Sequence, residues 1–236
     1  EFSEVLDKLA SGGELSPDEF SILSDLNHDQ VAVLEEAWPR IPDQVRATLV
    51  TEAVRISDVR IDMEFSRFAA VAVRDPLGNV RRAALEALRE STDRGTARVL
   101  VSLLLDDPDE DVSAGAAELL GEFVLRWELG TFPEREGERI VEALRLAATD
   151  PLRARTVRAN ALEALSPGAL PWLDALLLEA YYGDDEALRL AAVRAMGRSA
   201  QERWVEYLVE QFESGDPAFR IVRTQEELRS SFPLPG

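Results

Sequence analysis

Residues Asp106 to Glu118 read Asp-Asp-Pro-Asp-Glu-Asp-Val-Ser-Ala-Gly-Ala-Ala-Glu. Counted from Asp107, carboxylates stand at loop positions 1, 3 and 5, the Ser113 hydroxyl at 7 and Glu118 at 12. That is close to the ligand schedule of a helix–loop–helix calcium site, where a hard cation gathers oxygen donors and a Glu closes the shell. Such a loop also needs Gly at position 6 for its sharp turn, and position 6 here is Val112. Other starting points for chemistry are few. His28 is the single histidine and there is no cysteine, so disulfides, thiolate catalysis and Cys-ligated zinc or iron–sulfur clusters are excluded. His28 stands in Ser-Asp-Leu-Asn-His-Asp-Gln, where a helix-start turn is expected rather than a general base. No Gly-x-Ser-x-Gly elbow, Ser–His pair or Gly-rich phosphate loop occurs. The carboxylate pairs Asp106/Asp107 and Asp184/Asp185 fall in solvated turns where both members can ionise.

Whether Val112 belongs to a loop or to a helix depends on the elements around it. Asp75-Pro76, Val80, Ala84 and Leu88 align with Asp107-Pro108, Val112, Ala116 and Leu120 at a shift of 32 residues. The pattern returns with Val157 after 45 residues, Leu188 after 31 and Phe219 after 31, and a weaker copy has Val45 35 residues before Val80. Within each copy the apolar positions run i, i+4, i+7, i+8, as in Val80, Ala84, Ala87 and Leu88, which is one stripe of a helix. A second apolar helical stretch precedes each copy: 31–38, 64–73, 97–105, 140–148, 172–182 and 204–212. A turn rich in Asp, Pro or Gly separates the two, and no stretch carries strand alternation. The unit is therefore helix A, acidic turn, helix B, and one such pair must stack on neighbours to bury both apolar faces. Val112 is then the buried anchor of a helix B, Ser113 to Glu118 are helical, and no calcium site is expected. Asp107 is the expected N-cap of that helix.

The Asp-Pro turn, the Val-Arg step (Val45-Arg46, Val80-Arg81, Val157-Arg158, with Leu188-Arg189 as a variant) and the small residues after it resemble the HEAT-repeat family, in particular the bacterial HEAT-like repeats of the phycobilisome-lyase type. The likeness covers roughly Asp29 to Leu228. It implies an all-α, right-handed α-α superhelix of about six helical pairs with a short helical N-terminal cap. Residues 1–28 form the cap, 29–125 the first three repeats, 126–139 an inserted loop, and 140–236 the last three repeats. Leu228 and Phe232 are candidates for closing the C-terminal end. In that family the Arg after the valine pairs with turn Asp residues between repeats, and Ser113 breaks the series. The family is nearly silent on function because it spans scaffolds, lyases and hydroxylases. Its iron-dependent hydroxylases use paired His-Glu motifs, which one histidine cannot supply. Lyase-like and DNA-glycosylase-like enzymes are the alternative readings. The Tyr181-Tyr182 pair, where a tetrapyrrole could rest, is expected to cover the core. Trp172 and Trp204 open consecutive A helices as core residues.

The chain carries 26 basic and 45 acidic side chains, a net charge of −19, and 46% of its residues are hydrophobic. It can bury a core, and its charge repels phosphate backbones and anionic headgroups. A basic protein partner fits; nucleic acid, membrane and cofactor are not expected. Lys8 is the single lysine. No run of about 18 apolar residues would span a bilayer, and no signal peptide is expected. The sequence opens on Glu1 rather than Met, as a chain with an upstream segment removed would. The absence of cysteine fits a reducing cytosol, so a cytoplasmic, non-catalytic interaction module is expected. With B helices turned to the concave side, the stripe Arg82, Glu86, Arg89, Glu118, Glu122, Glu163 and Arg194 is the candidate protein-binding face. Trp127 and Phe132 of the interruption are added to it, since loops that interrupt repeats carry binding function. The acidic turns (Asp75, Asp106 to Asp111, Asp150, Asp184 to Glu186, Asp216) form a second candidate edge.

Overall fold

The computed structural model describes residues 1–60 and 62–213. The expected last copy around Phe219, with Asp216, Arg220, Leu228 and Phe232, lies outside the described residues. The chain divides into two compact units, Glu1–Val99 and Leu100–Gly236. Among the described residues it is all-α, with thirteen α-helices and two single 3-10 turns. The helices pack mainly against sequential and next-but-one neighbours.

The first unit contains α1 (Phe2–Ala10), α2 (Pro17–Ser21), α3 (His28–Ala37), α4 (Asp43–Ser57), α5 (Ser66–Ala72) and α6 (Gly78–Ala87). The Ser16-Pro-Asp-Glu19 signature does form a capping box: the Ser16 hydroxyl accepts from the Glu19 N–H and the Glu19 carboxylate from the Ser16 N–H. His28 is the exposed first residue of α3, which Asn27 caps with Gln30 in the same reciprocal way. The core is strung on a ladder of edge-to-face rings, Phe20–Phe65 at 5.7 Å, Phe65–Phe68 at 6.5 Å and Phe68–Trp38 at 5.6 Å. Helix α3 packs on α5 and α4 on α6. An A helix thus meets an A helix, and a B helix meets a B helix.

The capping box has an electrostatic consequence. Lys8 Nζ donates to both Glu19 oxygens, at 2.9 and 2.7 Å. That contact, then the Ser16 N–H and hydroxyl, lower the Glu19 carboxyl from 4.5 to about 2. The folded pKa lies below the unfolded one, so the contribution to stability is complete above about 4.5 and is lost as pH falls toward 2. An NMR titration of the Glu19 carboxyl should show a midpoint near 2, and Lys8→Met should raise it.

Helix α7 (Arg94–Asp106) crosses the boundary between the units. The second unit continues with α8 (Glu110–Glu128), α9 (Glu134–Thr149), α10 (Arg155–Ala164), α11 (Leu173–Tyr182), α12 (Glu186–Ser199) and α13 (Val205–Glu213). Here too the B helices stack, α10 against both α8 and α12, while α9 and α11 pair with the B helices that follow them. The anchors Val80, Val112 and Val157 are fully buried and Leu188 nearly so. Val45 departs from the pattern: it is only half-buried, because the α2 that precedes the α3–α4 pair is a single turn long.

The expected loop at 126–139 is mostly helix. Helix α8 runs on to Glu128 and α9 begins at Glu134, leaving five connecting residues. The break is made by Gly130 in the left-handed region at φ +70°, where the Thr131 N–H turns back to the Arg126 carbonyl at 2.8 Å. The excess residues that lengthen this repeat therefore extend the two helices rather than build a projecting loop.

Candidate interaction surfaces

The turns between paired helices follow one local rule. Asp75 accepts from the Leu77 N–H at 2.8 Å, Asp107 from the Asp109 N–H at 2.8 Å and Asp150 from the Leu152 N–H at 2.9 Å. Each Asp-Pro-x is thus an Asx turn, with proline fixing the middle residue. Asp109, not Asp107, is the N-cap of α8, accepting from the Asp111 N–H. The carboxylates of Asp107 and Asp109 in the apparent calcium loop are engaged with backbone, and Glu118 lies on the same continuous helix as Val112. Among the described residues no three His, Cys, Asp or Glu side chains converge as a metal site would require. Replacing Asp109 and Asp111 together by alanine should cost about 1 kcal/mol through the lost cap. The melting temperature of neither protein should respond to calcium; a calcium-dependent rise in the parent that the double variant lacks would restore the metal reading.

The arginine after the anchor reaches backbone carbonyls in each described copy that has one. Arg46 donates to the Ile41 carbonyl at 2.6 Å, Arg81 to those of Asp75 and Pro76 at 2.8 and 3.0 Å, Arg158 to Ala148 at 3.3 Å and Arg189 to Gly183 at 3.5 Å. Each guanidinium caps the carbonyl end of its own helix A, where the helix dipole favours a cation. Ser113 does not break this series: its hydroxyl reaches the Leu103 carbonyl at 3.1 Å and substitutes for the missing arginine. Arg153 adds a further cap, donating to the carbonyls of Leu104 and Leu105. Arg46 also makes the expected carboxylate bridge, to Asp75 at 2.6 Å.

That bridge removes Asp75 from the proposed acidic edge. Its side chain is fully buried and also accepts from the Trp38 indole N–H at 2.8 Å. Asp106, Glu110, Asp111, Asp184 and Glu186 remain exposed, while Asp185 caps α12 and meets Arg155 at 3.2 Å.

On the B helices, Arg82, Glu86 and Arg89 are exposed on α6, and Glu86 pairs with Arg89 at 3.0 Å. In the second unit Glu118 and Glu122 stand one turn apart on the exposed side of α8, with Arg126 on Glu122 at 2.9 Å. Glu163 on α10 is reached from α12 by Arg194 at 3.2 Å and Arg198 at 3.3 Å. Arg198 is a member of the strip that the repeat shift alone does not reveal, because it sits one turn beyond Arg194.

The two aromatics of the interruption do not project. Phe132 is buried edge-on against Phe123 at 5.3 Å and offers no surface to a partner. Trp127 is half-buried, its ring lying over Gly137 of α9. A Cβ added to Gly137 would stand 2.2 Å from Trp127 Cγ and Cδ1. Gly137→Ala should therefore lower the melting temperature, despite alanine's better helix propensity, and shift tryptophan emission to the red as the indole turns outward. Trp204 is buried, and Trp172 half-buried. Tyr181 is buried as expected of a core residue, but Tyr182 is 71% exposed, its ring standing edge-on against Tyr181 and Tyr207. No helix among the described residues is long and apolar enough to cross a membrane.

No protein-family model matches the chain, and no curated protein is similar to it.

Proposed function

We propose that the chain is a HEAT-like, right-handed α-solenoid whose work is non-catalytic: it binds a protein partner through the exposed stripe of its B helices and the remaining acidic turns. The observation that carries this reading is the lateral contact of B helices. Because α12 lies on α10, Arg194 and Arg198 of one helix meet Glu163 of the other, and the two exposed stripes form one continuous charged surface. The two arginines are 34% and 53% exposed and Glu163 between them 12%, so the guanidiniums, with the exposed Glu118 and Glu122 of α8, are the charges a partner can meet. A mixed acidic and basic strip suits a protein surface better than a polyanion, and the net charge of −19 favours a basic partner.

The reading is tested by affinity capture from native lysate at low and moderate salt, with the parent chain and a Glu118→Arg, Glu122→Arg, Glu163→Arg variant. A basic protein held by the parent, weakened by salt and lost from the variant is the expected result. Capture of nucleic acid or of a coloured cofactor would replace it with the glycosylase-like or lyase-like reading.

A further inference from the structure

The first unit holds an open groove of about 720 Å³ between the α1–α2 end and helix α4. Its floor on α4 includes Val45, Thr48, Leu49 and Glu52, and it extends along that helix past Ile56 to Val59. The opposite wall is Leu9, Leu15, Pro17 and Phe20. By the repeat register, Val45 corresponds to Val157, so Thr48, Leu49 and Glu52 correspond to Asn160, Ala161 and Ala164 on α10. Those are residues on which a neighbouring B helix rests. Asn160 donates to the Ala114 carbonyl of α8 at 3.1 Å, and a Cβ on Gly121 of α8 would lie 3.3 Å from Ala164 Cα. Val157 is fully buried and Asn160 half-buried, whereas Val45 is half-buried and Thr48 exposed; Leu49 is buried like its counterpart Ala161.

The first helix pair explains the difference. Helix α1 packs on α3 as an A helix would, but the α2 that follows it has five residues, against ten or more in each of α4, α6, α8, α10 and α12. On its other side α4 is covered by α6. The groove is therefore the seat of a B helix of which, among the described residues, α2 supplies one turn.

We infer that this groove binds an amphipathic α-helix from a partner protein, seated on α4 as α8 is seated on α10. The α4 stretch from Val45 to Ile56 spans about 17 Å at 1.5 Å per residue, room for roughly three turns of ligand helix, and Val59 extends it beyond the helix end. The rim charges are Glu14, Glu52, Arg55 and Arg60, two of each sign, with Glu52 and Arg55 paired at 2.8 Å. In a chain otherwise so acidic, this neutral seat selects an apolar face at i, i+3, i+4, i+7 rather than a basic one. The inference uses the repeat register but not the charged strip, so each can fail without the other.

The test uses a displayed library of helical peptides about three turns long, with the apolar stripe randomised and the full chain as bait. Enriched peptides are labelled and their binding measured by fluorescence anisotropy against the parent, Thr48→Trp and Val45→Lys. Thr48 is exposed and Val45 half-buried on the groove side, so unchanged melting curves are required of the variants. The expected result is binding that weakens about ten-fold or more in both variants and is untouched by Glu163→Arg. Failure to enrich any peptide, or enriched peptides that bind the two variants like the parent, would overturn the inference. So would self-association of the chain in sedimentation that Thr48→Trp abolishes, since the occupant would then be a second copy.

Discussion

Replacing Asp75 by alanine should destabilise the first unit by about 3–5 kcal/mol, because it strands a buried guanidinium. Arg46 is 5% exposed and its Nε lies 2.6 Å from Asp75, whose side chain has no exposure at all. The carboxylate also answers the Trp38 indole and the Leu77 N–H, so its removal leaves three donors short of an acceptor. The size of the effect has a specific control. Trp38→Phe removes one neutral donor and keeps the ring against Phe68, and should cost nearer 1 kcal/mol. Arg46→Met combined with Asp75→Leu removes both charges together and should be less damaging than Asp75→Ala alone. Chemical denaturation monitored by circular dichroism orders the three. If Asp75→Ala falls within error of the parent, the pair is not the joint described above.

Val112→Asp should be as damaging, at about 4 kcal/mol or more, since the site is fully enclosed. The pH dependence gives the mechanism away. Burial raises the folded pKa of the introduced carboxyl above its unfolded value, so the folded state is the one that holds the proton. The variant should recover part of the loss as pH falls through that raised pKa, where the parent gains nothing comparable. A mere loss of packing volume would be indifferent to pH. A melting curve equal to that of the parent at pH 7 would refute the helical register on which the whole repeat assignment rests.

Much of this architecture was legible in the residues, for identifiable physical reasons. The Asp-Pro turns are short-range chemistry: an aspartate, a fixed φ and an N–H two residues on. The anchors at Val80, Val112 and Val157 follow from helical spacing, which neighbours cannot easily override. What was not legible depends on three-dimensional partners. The spacing treats Val45 as another anchor, but its burial requires a neighbouring helix longer than the one-turn α2. The arginine series is visible as a pattern, yet its target is not, because a guanidinium serves a carboxylate or a carbonyl equally well. The turn into which Asp75 falls reads as solvated until Trp38, 37 residues away, is seen to close over it. The excess residues before Arg139 read as a loop because they break register, although their composition lets two helices lengthen. Of the candidate strip, Arg82, Glu86, Arg89, Glu118 and Glu122 are exposed, Glu163 is largely covered at 12% exposure, and Phe132 is buried.

The arginine caps bear on how fast the chain finds its fold. In each case the cap and its carbonyl are close in sequence: five residues for Arg46 and Ile41, six for Arg81 and Asp75, and ten for Ser113 and Leu103 or Arg158 and Ala148. A joint of this kind closes without waiting for distant segments to meet, so little loop entropy stands in its way. Arg153, reaching back 49 residues to Leu104, belongs to a later stage. Each unit is accordingly a low-contact-order topology, of the class that folds in roughly microseconds to milliseconds. Helix pairs clasped by their own arginines are the natural first events, and the burial of Asp75 against Arg46 comes after two such pairs have formed.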